Sequence, residues 1–297
     1  MARFTVIGGP SSEDLAKKIS VKLKTKYLRS ELRIFPDGES KITVRGRPSD
    51  GSIIVVQSTY PPVDSNLIRA LFLISKARQY SSDVIAVVPY IGYARQDKVF
   101  LSGEVVSISV IASLFKTAGA TNIITVDSHS KIALRYFKIP VKNISAIPLL
   151  ASYFRKLNLK EPLVVSPDLF WSSSAKEFAR HLGTKSIALH KQRDRKTGKL
   201  KIKPMKIQNV RGRDIILVDD MVSSGNTIIQ AAKFLKKQNC GKIFVACTHG
   251  VLVSDAERKI KAAGISKIVS TNTIPGKTGI VDVSEIIANA ISDIGTG

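Results

Sequence analysis

Apolar runs and polar breaks alternate along the chain in a repeating pattern. Residues 4–7, 52–57, 84–88 and 122–126 are short, nearly continuous apolar runs. Such runs read as strands buried on both faces of a parallel sheet. Between them, 66–77 and 105–115 carry apolar residues at helical spacing. Ser11 and Ser12 followed by Glu13 and Asp14 mark another helix start. The pattern restarts after Pro140. Helices are predicted over 147–157, up to 182 and over 283–291, and strands over 163–165, 186–189, 215–218, 243–247 and 268–270. Strands alternating with helices predict an α/β protein with mainly parallel sheets flanked by helices. Two halves of similar order predict two domains, 1–146 and 147–297, with the last helix crossing back onto the first.

The polar residues gather just beyond the predicted strands. The apolar run 215–218 leads into Asp219 and Asp220, and then into Ser223, Ser224, Gly225, Asn226 and Thr227 before a helix-like segment. A glycine turn at a helix start aims backbone N–H groups at one spot, where the helix dipole and hydroxyl donors favour a phosphate. Two carboxylates beside it suit hydroxyls or a metal ion. A phosphate held near a diol describes a sugar phosphate. Other strand ends carry Arg95, Gln96, Asp97 and Lys98, then Asp127 and His129, then Asp168. In an open α/β sheet the carboxyl edges of the strands form the ligand crevice. Carboxylates and a histidine among basic groups fit Mg²⁺–phosphate chemistry.

Composition narrows the class. The chain has 297 residues and 46 Lys and Arg against 23 Asp and Glu, a formal charge of +23. That charge calls for an anionic partner. Aromatic residues make up only 6% and do not interleave with the basic ones, so the stacking surface of a nucleic-acid binder is missing. No apolar run reaches the length of a membrane span and no signal-peptide pattern opens the chain, so a soluble cytoplasmic protein is expected. Cys240 and Cys247 have no zinc spacing and read as packing residues. Gly276-Lys277-Thr278 resembles the end of a phosphate-binding P-loop, but Thr271 stands where its first glycine belongs. Residues 191–203 hold seven basic residues in thirteen with almost no periodicity, which predicts a mobile surface loop or hairpin. Lys191 and Arg193 alternate there, so an extended segment would turn both to one face.

The ILVDDMVSSGNT stretch (216–227) resembles the fingerprint of the type I phosphoribosyltransferase fold. FPDGES (35–40), PYIGYARQDK (89–98), VDSHS (126–130), VSPD (165–168), HKQR (190–193) and TNTIP (271–275) accompany it. In that order they resemble the ribose-phosphate diphosphokinases, the synthases of phosphoribosyl diphosphate (PRPP), over nearly the whole chain. The resemblance implies transfer of the diphosphoryl group of MgATP to the 1-hydroxyl of ribose 5-phosphate, with Mg²⁺ as cofactor. It implies a homo-oligomer, at least a dimer. Phe35, Asp37, Gly38 and Glu39 match residues that hold adenine across the subunit interface, and Arg95, Gln96 and Asp97 match the ATP side. His129 and Asp168 match metal residues. Lys191 and Arg193 match the catalytic pair, with Arg193 also on the sugar side. Asp219, Asp220 and Ser223, Ser224, Gly225, Asn226 and Thr227 match the ribose 5-phosphate site. An ordinary phosphoribosyltransferase, which uses PRPP, and a catalytically silent paralogue are the rival readings. After Asp168 the family commonly runs through two glycines to a basic residue. Here the chain reads Leu169-Phe170-Trp171.

Overall fold

The computed structural model describes residues 4–193, 200–202 and 210–294, with only the backbone described at 191–193 and 200–202. In chain order the elements are β1 (Phe4–Gly8), α1 (Glu13–Lys22), β2 (Lys26–Ile34), β3 (Ser40–Val44), β4 (Ser52–Val56), α2 (Val63–Arg78), β5 (Val84–Val87), α3 (Ser107–Ala118), β6 (Asn122–Val126), α4 (Lys131–Arg135) and β7 (Val141–Ile144). There follow α5 (Ile147–Arg155), β8 (Leu163–Ser166), α6 (Ser172–Leu182), β9 (Ser186–Ala188), β10 (Lys191–Arg193), β11 (Leu200–Ile202), β12 (Ile215–Val222), α7 (Asn226–Lys236), β13 (Ile243–Gly250), α8 (Ala256–Ala262), β14 (Lys267–Thr271), β15 (Gly279–Val281) and α9 (Ser284–Ile294).

The chain divides into two compact units. The first comprises Met1–Ser145, Thr273–Pro275 and Val283–Gly297, and the second Ala146–Asn272 and Gly276–Asp282. The first unit holds a seven-stranded sheet of order β3-β2-β1-β4-β5-β6-β7. All neighbours are parallel except the edge strand β3, which is antiparallel to β2. Ile7, Ile53 and Val55 pack in a core with Leu73 and Ile74 of α2 and Ile108 and Phe115 of α3. The alternate residues Val6, Ile54 and Val56 are also fully buried. That two-sided burial is why these strands read as unbroken apolar runs. The last helix, α9, belongs to this unit. Ion pairs tie it there, from Lys22 to Glu285 at 3.2 Å and from Lys142 to Asp293 at 2.6 Å.

The second unit holds a six-stranded sheet of order β15-β14-β13-β12-β8-β9, parallel throughout. Phe154 of α5 sits in its core against Phe178 and Phe244, with edge-on ring centroids 5.8 and 6.2 Å away. The basic segment after Leu189 includes an antiparallel pair, in which Lys191 faces Ile202 and Arg193 faces Leu200 across β10 and β11. The rest of the expected loop or hairpin, 194–199 and 203, lies outside the described residues.

Some sequence expectations change. The FPDGES turn joins two strands that the apolar pattern does not mark, because both are half-exposed and β2 is rich in charge. The third helix starts at Ser107 rather than 105. Ser12 sits at the first residue before α1, but its hydroxyl makes no cap bond; it instead accepts from the backbone N–H of Ser58 at 2.8 Å.

Candidate functional site

Strand β12 carries its acids inside the strand, not beyond its end. It pairs with β8 only over Ile215–Leu217, yet with β13 as far as Val222 opposite Gly250. The equally long β13 thus holds Asp219 and Asp220 in extended backbone after the other neighbour has ended. Asp220 is buried, and its backbone N–H donates to Asp219 Oδ1 at 3.0 Å. Burial first, then the charge of Asp220, its hydrogen bonding and the charge of Asp168, raise the Asp219 carboxyl well above the usual carboxylate range. Opposite Asp219 lies Cys247, whose thiol is pushed up by burial; it is an inert packing residue of the core.

From Val222 the chain turns through Ser223 and Ser224 to Gly225, the first residue before α7. Gly225 has φ +75°, and a Cβ there would meet Ile260 side-chain carbons at 2.6 and 2.7 Å. Backbone conformation and the tight approach of α8 both demand glycine. The turn delivers Asn226 and Thr227 as the first two residues of α7, where N–H groups and the helix dipole favour an anion. Ser224 and Asn226 are exposed, and Ser223 and Thr227 are half-buried.

Asp168 lies one loop away, just after β8. Its Oδ1 accepts from the N–H groups of Phe170 at 3.0 Å and Trp171 at 3.3 Å, immediately before α6. Here the carboxylate shapes its own turn. Leu169 and Phe170 are exposed.

The first unit holds the remaining candidates. Phe35, Asp37, Gly38 and Glu39 form the tip of the β2–β3 hairpin. Phe35 N–H donates to the Glu39 carbonyl at 2.9 Å, Gly38 N–H to the Phe35 carbonyl at 2.9 Å, and Glu39 N–H to Asp37 Oδ1 at 3.1 Å. The Arg33 guanidinium lies 4.9 Å from the Phe35 ring centroid. The tip is well ordered by its own bonds, while Asp37 and Glu39 remain exposed. Arg95, Gln96 and Asp97 follow β5 on a loop whose Tyr93 has φ +63°. Arg95 is exposed, Gln96 half-buried and Asp97 buried. His129 follows β6, two residues after Asp127, which is buried with φ +38°. Side chains held at such unfavoured backbone angles cluster at functional sites.

The structure therefore brings Asp168, Asp219, Asp220 and the 223–227 turn to one sheet edge, and Arg95, Gln96 and His129 to the corresponding edge of the other unit. Lys191 and Arg193 lie in β10, with their side chains outside the described residues. Among the described residues no three His, Cys, Asp or Glu side chains gather as a metal-binding group. Sequence reasoning passed over Ser130 and Tyr136, which flank α4. A serine before a short helical run was the available signal for the first.

Two α/β units, each a mainly parallel sheet flanked by helices with polar residues gathered beyond its strands, define the fold class. The match extends to particular families. Residues 4–119 match the N-terminal domain of ribose phosphate pyrophosphokinase, and residues 178–297 the phosphoribosyl synthetase-associated domain. The chain is 36% identical to a ribose-phosphate pyrophosphokinase of Methanobrevibacter smithii, over 97% of this chain and 100% of that one. It is 35% identical to the Sulfolobus acidocaldarius enzyme of that name, over 96% and 99%. A crystal structure of phosphoribosylpyrophosphate synthetase from Mycobacterium smegmatis superposes with a TM-score of 0.86 at 27% identity, covering 98% of each chain. The chain belongs to the ribose-phosphate pyrophosphokinase family and is an enzyme of that type.

Proposed function

We propose that this enzyme transfers the β,γ-diphosphoryl group of ATP to the 1-hydroxyl of ribose 5-phosphate, giving PRPP and AMP in the cytoplasm for nucleotide synthesis. The observation that carries this reading is the β12–α7 junction. Asp219 and Asp220 lead into a Ser-Ser-Gly-Asn-Thr turn that opens on a helix N-terminus. The turn suits the 5-phosphate and the carboxylates suit the ribose hydroxyls. The 1-hydroxyl oxygen forms the new bond to the β-phosphorus and gives up its proton. The bond from that phosphorus to the oxygen bridging to the α-phosphate breaks, and AMP leaves with the bridging oxygen.

The first unit is the ATP side in this reading. Phe35, Asp37 and Glu39 receive adenine, and Arg95 and Gln96 hold the phosphates. Arg193 serves the sugar as well as the transfer, and Lys191 acts on the moving group. Mutual repulsion among Asp168, Asp219 and Asp220 fits a cation, and Mg²⁺ needs only one or two protein ligands when substrate phosphates supply the rest. His129 in the first unit and Asp168 in the second are the candidate Mg²⁺ contacts, and Mg²⁺, when bound, would neutralise charge on the polyphosphate. With ATP, ribose 5-phosphate and Mg²⁺, AMP should appear in step with sugar consumed. Accumulation of ADP would make the enzyme an ordinary kinase.

The hairpin tip points to assembly. Its adenine-binding candidates are exposed at the end of an edge-strand pair. The same unit exposes Ile68 and Phe72 on α2 and Val110 and Leu114 on α3, each pair one turn apart. Such apolar positions suit a second copy of the chain. If the tip serves a neighbour's ATP, an Asp37→Ala/Glu39→Ala chain and a Lys191→Ala chain should each be inactive alone. After subunit exchange, their equal mixture should recover about a quarter of wild-type activity, since half the dimers are mixed and each has one intact site. No recovery, with exchange verified, would argue for a site built within one chain.

A further inference from the structure

Asp97 closes the Arg-Gln-Asp run, but its surroundings differ from those of Arg95. Arg95 is exposed, while Asp97 keeps 8% of its surface. Its Oδ2 accepts a hydrogen bond from Ser130 Oγ, and its backbone carbonyl accepts one from the Tyr136 hydroxyl at 3.2 Å. Ser130 and Tyr136 are the capping residues at the two ends of α4. One aspartate therefore holds a five-residue helix at both ends, by side chain at its start and by main chain at its finish.

The Ser130 hydroxyl is fully occupied. It accepts from the N–H groups of Ile132 at 3.0 Å and Ala133 at 3.3 Å while giving its proton to Asp97. A hydroxyl has one proton and two lone pairs, so Asp97 fixes the direction of the cap. A helix this short does not hold itself together. Its place depends on these end contacts and on Ala133, which is buried in the first unit's core, and the residue just before its cap is His129.

We propose that Asp97 is a positioning residue that touches neither nucleotide nor metal. It locks the loop bearing Arg95 and Gln96 to the loop bearing His129, through Ser130, α4 and Tyr136. The proposal rests on the assignment of Arg95 and Gln96 to ATP and of His129 to the metal. In this arrangement the carboxylate works as a hydrogen-bond acceptor, and its charge toward substrate is not what matters.

The test is a double-variant cycle of Asp97→Ala and Ser130→Ala, with Asp97→Asn beside it. Each alanine variant should lower kcat/KM for ATP by about ten- to a hundredfold, the scale of one hydrogen bond to a charged group. KM for ribose 5-phosphate should stay near wild type. The double variant should be no worse than the poorer single one, because both remove the same link. Asp97→Asn, which keeps an acceptor oxygen, should retain most of the activity. Amide hydrogen exchange reads the lock without turnover: Asp97→Ala should speed exchange at Ile132 and Ala133, and Ser130→Ala should speed it at Gln96. The proposal is overturned if Asp97→Asn is as poor as Asp97→Ala while Ser130→Ala behaves as wild type, if the two losses add, or if exchange is unchanged at those amides. A wild-type enzyme that makes no PRPP would sink the reaction assigned above, and the exchange measurements would still decide for or against the lock.

Discussion

Lys191→Ala is expected to lower turnover by about 10³–10⁵-fold, the range of cationic finger residues in phosphoryl transfer, with little change in either Michaelis constant. As the bond to AMP loosens, negative charge spreads over the bridging and equatorial oxygens of the moving group. A cation that meets this charge only in the transition state raises kcat and leaves ground-state binding alone. Lys191 opens β10, in a hairpin that joins the second unit's sheet through no ladder bond among the described residues. Arg195 and Lys199 lie outside the described residues, and as charges further along the segment they should each cost far less when changed to Ala. Steady-state kinetics of the three variants check this. Near-normal turnover in Lys191→Ala would reduce the hairpin to a solvated basic excursion.

Asp219→Asn should move binding and stability in opposite directions. In the proposed site the replacement removes a charged hydrogen bond to the sugar, so KM for ribose 5-phosphate should rise about ten- to a hundredfold while KM for ATP stays put. In the unliganded protein, however, burial and the charges of Asp220 and Asp168 hold the Asp219 carboxyl above its ordinary value. The folded state then binds this proton more tightly than the unfolded chain does. Stability from this group is intact below the unfolded value of about 3.9 and falls as pH rises from there to the raised folded value. At neutral pH the native aspartate is therefore a liability without ligand, as binding carboxylates often are. Asp219→Asn should melt higher than wild type at pH 7, and the gap should close near pH 4. A raised KM for ATP alone would show that the substrates have been assigned to the wrong units. A lower melting temperature at pH 7 would show that Asp219 is stabilising.

Much of this was legible in the sequence because one physical pattern dominates it. Strands buried on both faces leave unbroken apolar runs, so β4, β5, β6 and β13 stood out. The apolar part of β12 stood out too, but its end did not. Asp219 to Val222 continue the strand only because β13 offers a partner of equal length, a fact of pairing and not of local composition. The β2–β3 hairpin was hidden for a related reason. Lys26, Arg29, Glu31 and Arg33 interrupt β2, so its half-exposed sequence shows no apolar run. Helix α4 was too short to show a period. The Asp97–Ser130 link spans 33 positions, so no local reading could have supplied it, whereas the sugar-phosphate turn is contiguous and announces itself.

The fate of the two outer phosphates of ATP tests the central claim most directly. The enzyme should be given ribose 5-phosphate, Mg²⁺ and ATP labelled separately at the β- and the γ-phosphorus. Transfer of the intact diphosphoryl group predicts that both labels enter the sugar product in equal amounts, with unlabelled AMP released in the same quantity. Entry of the γ-label alone, with the β-label left in ADP, would contradict it.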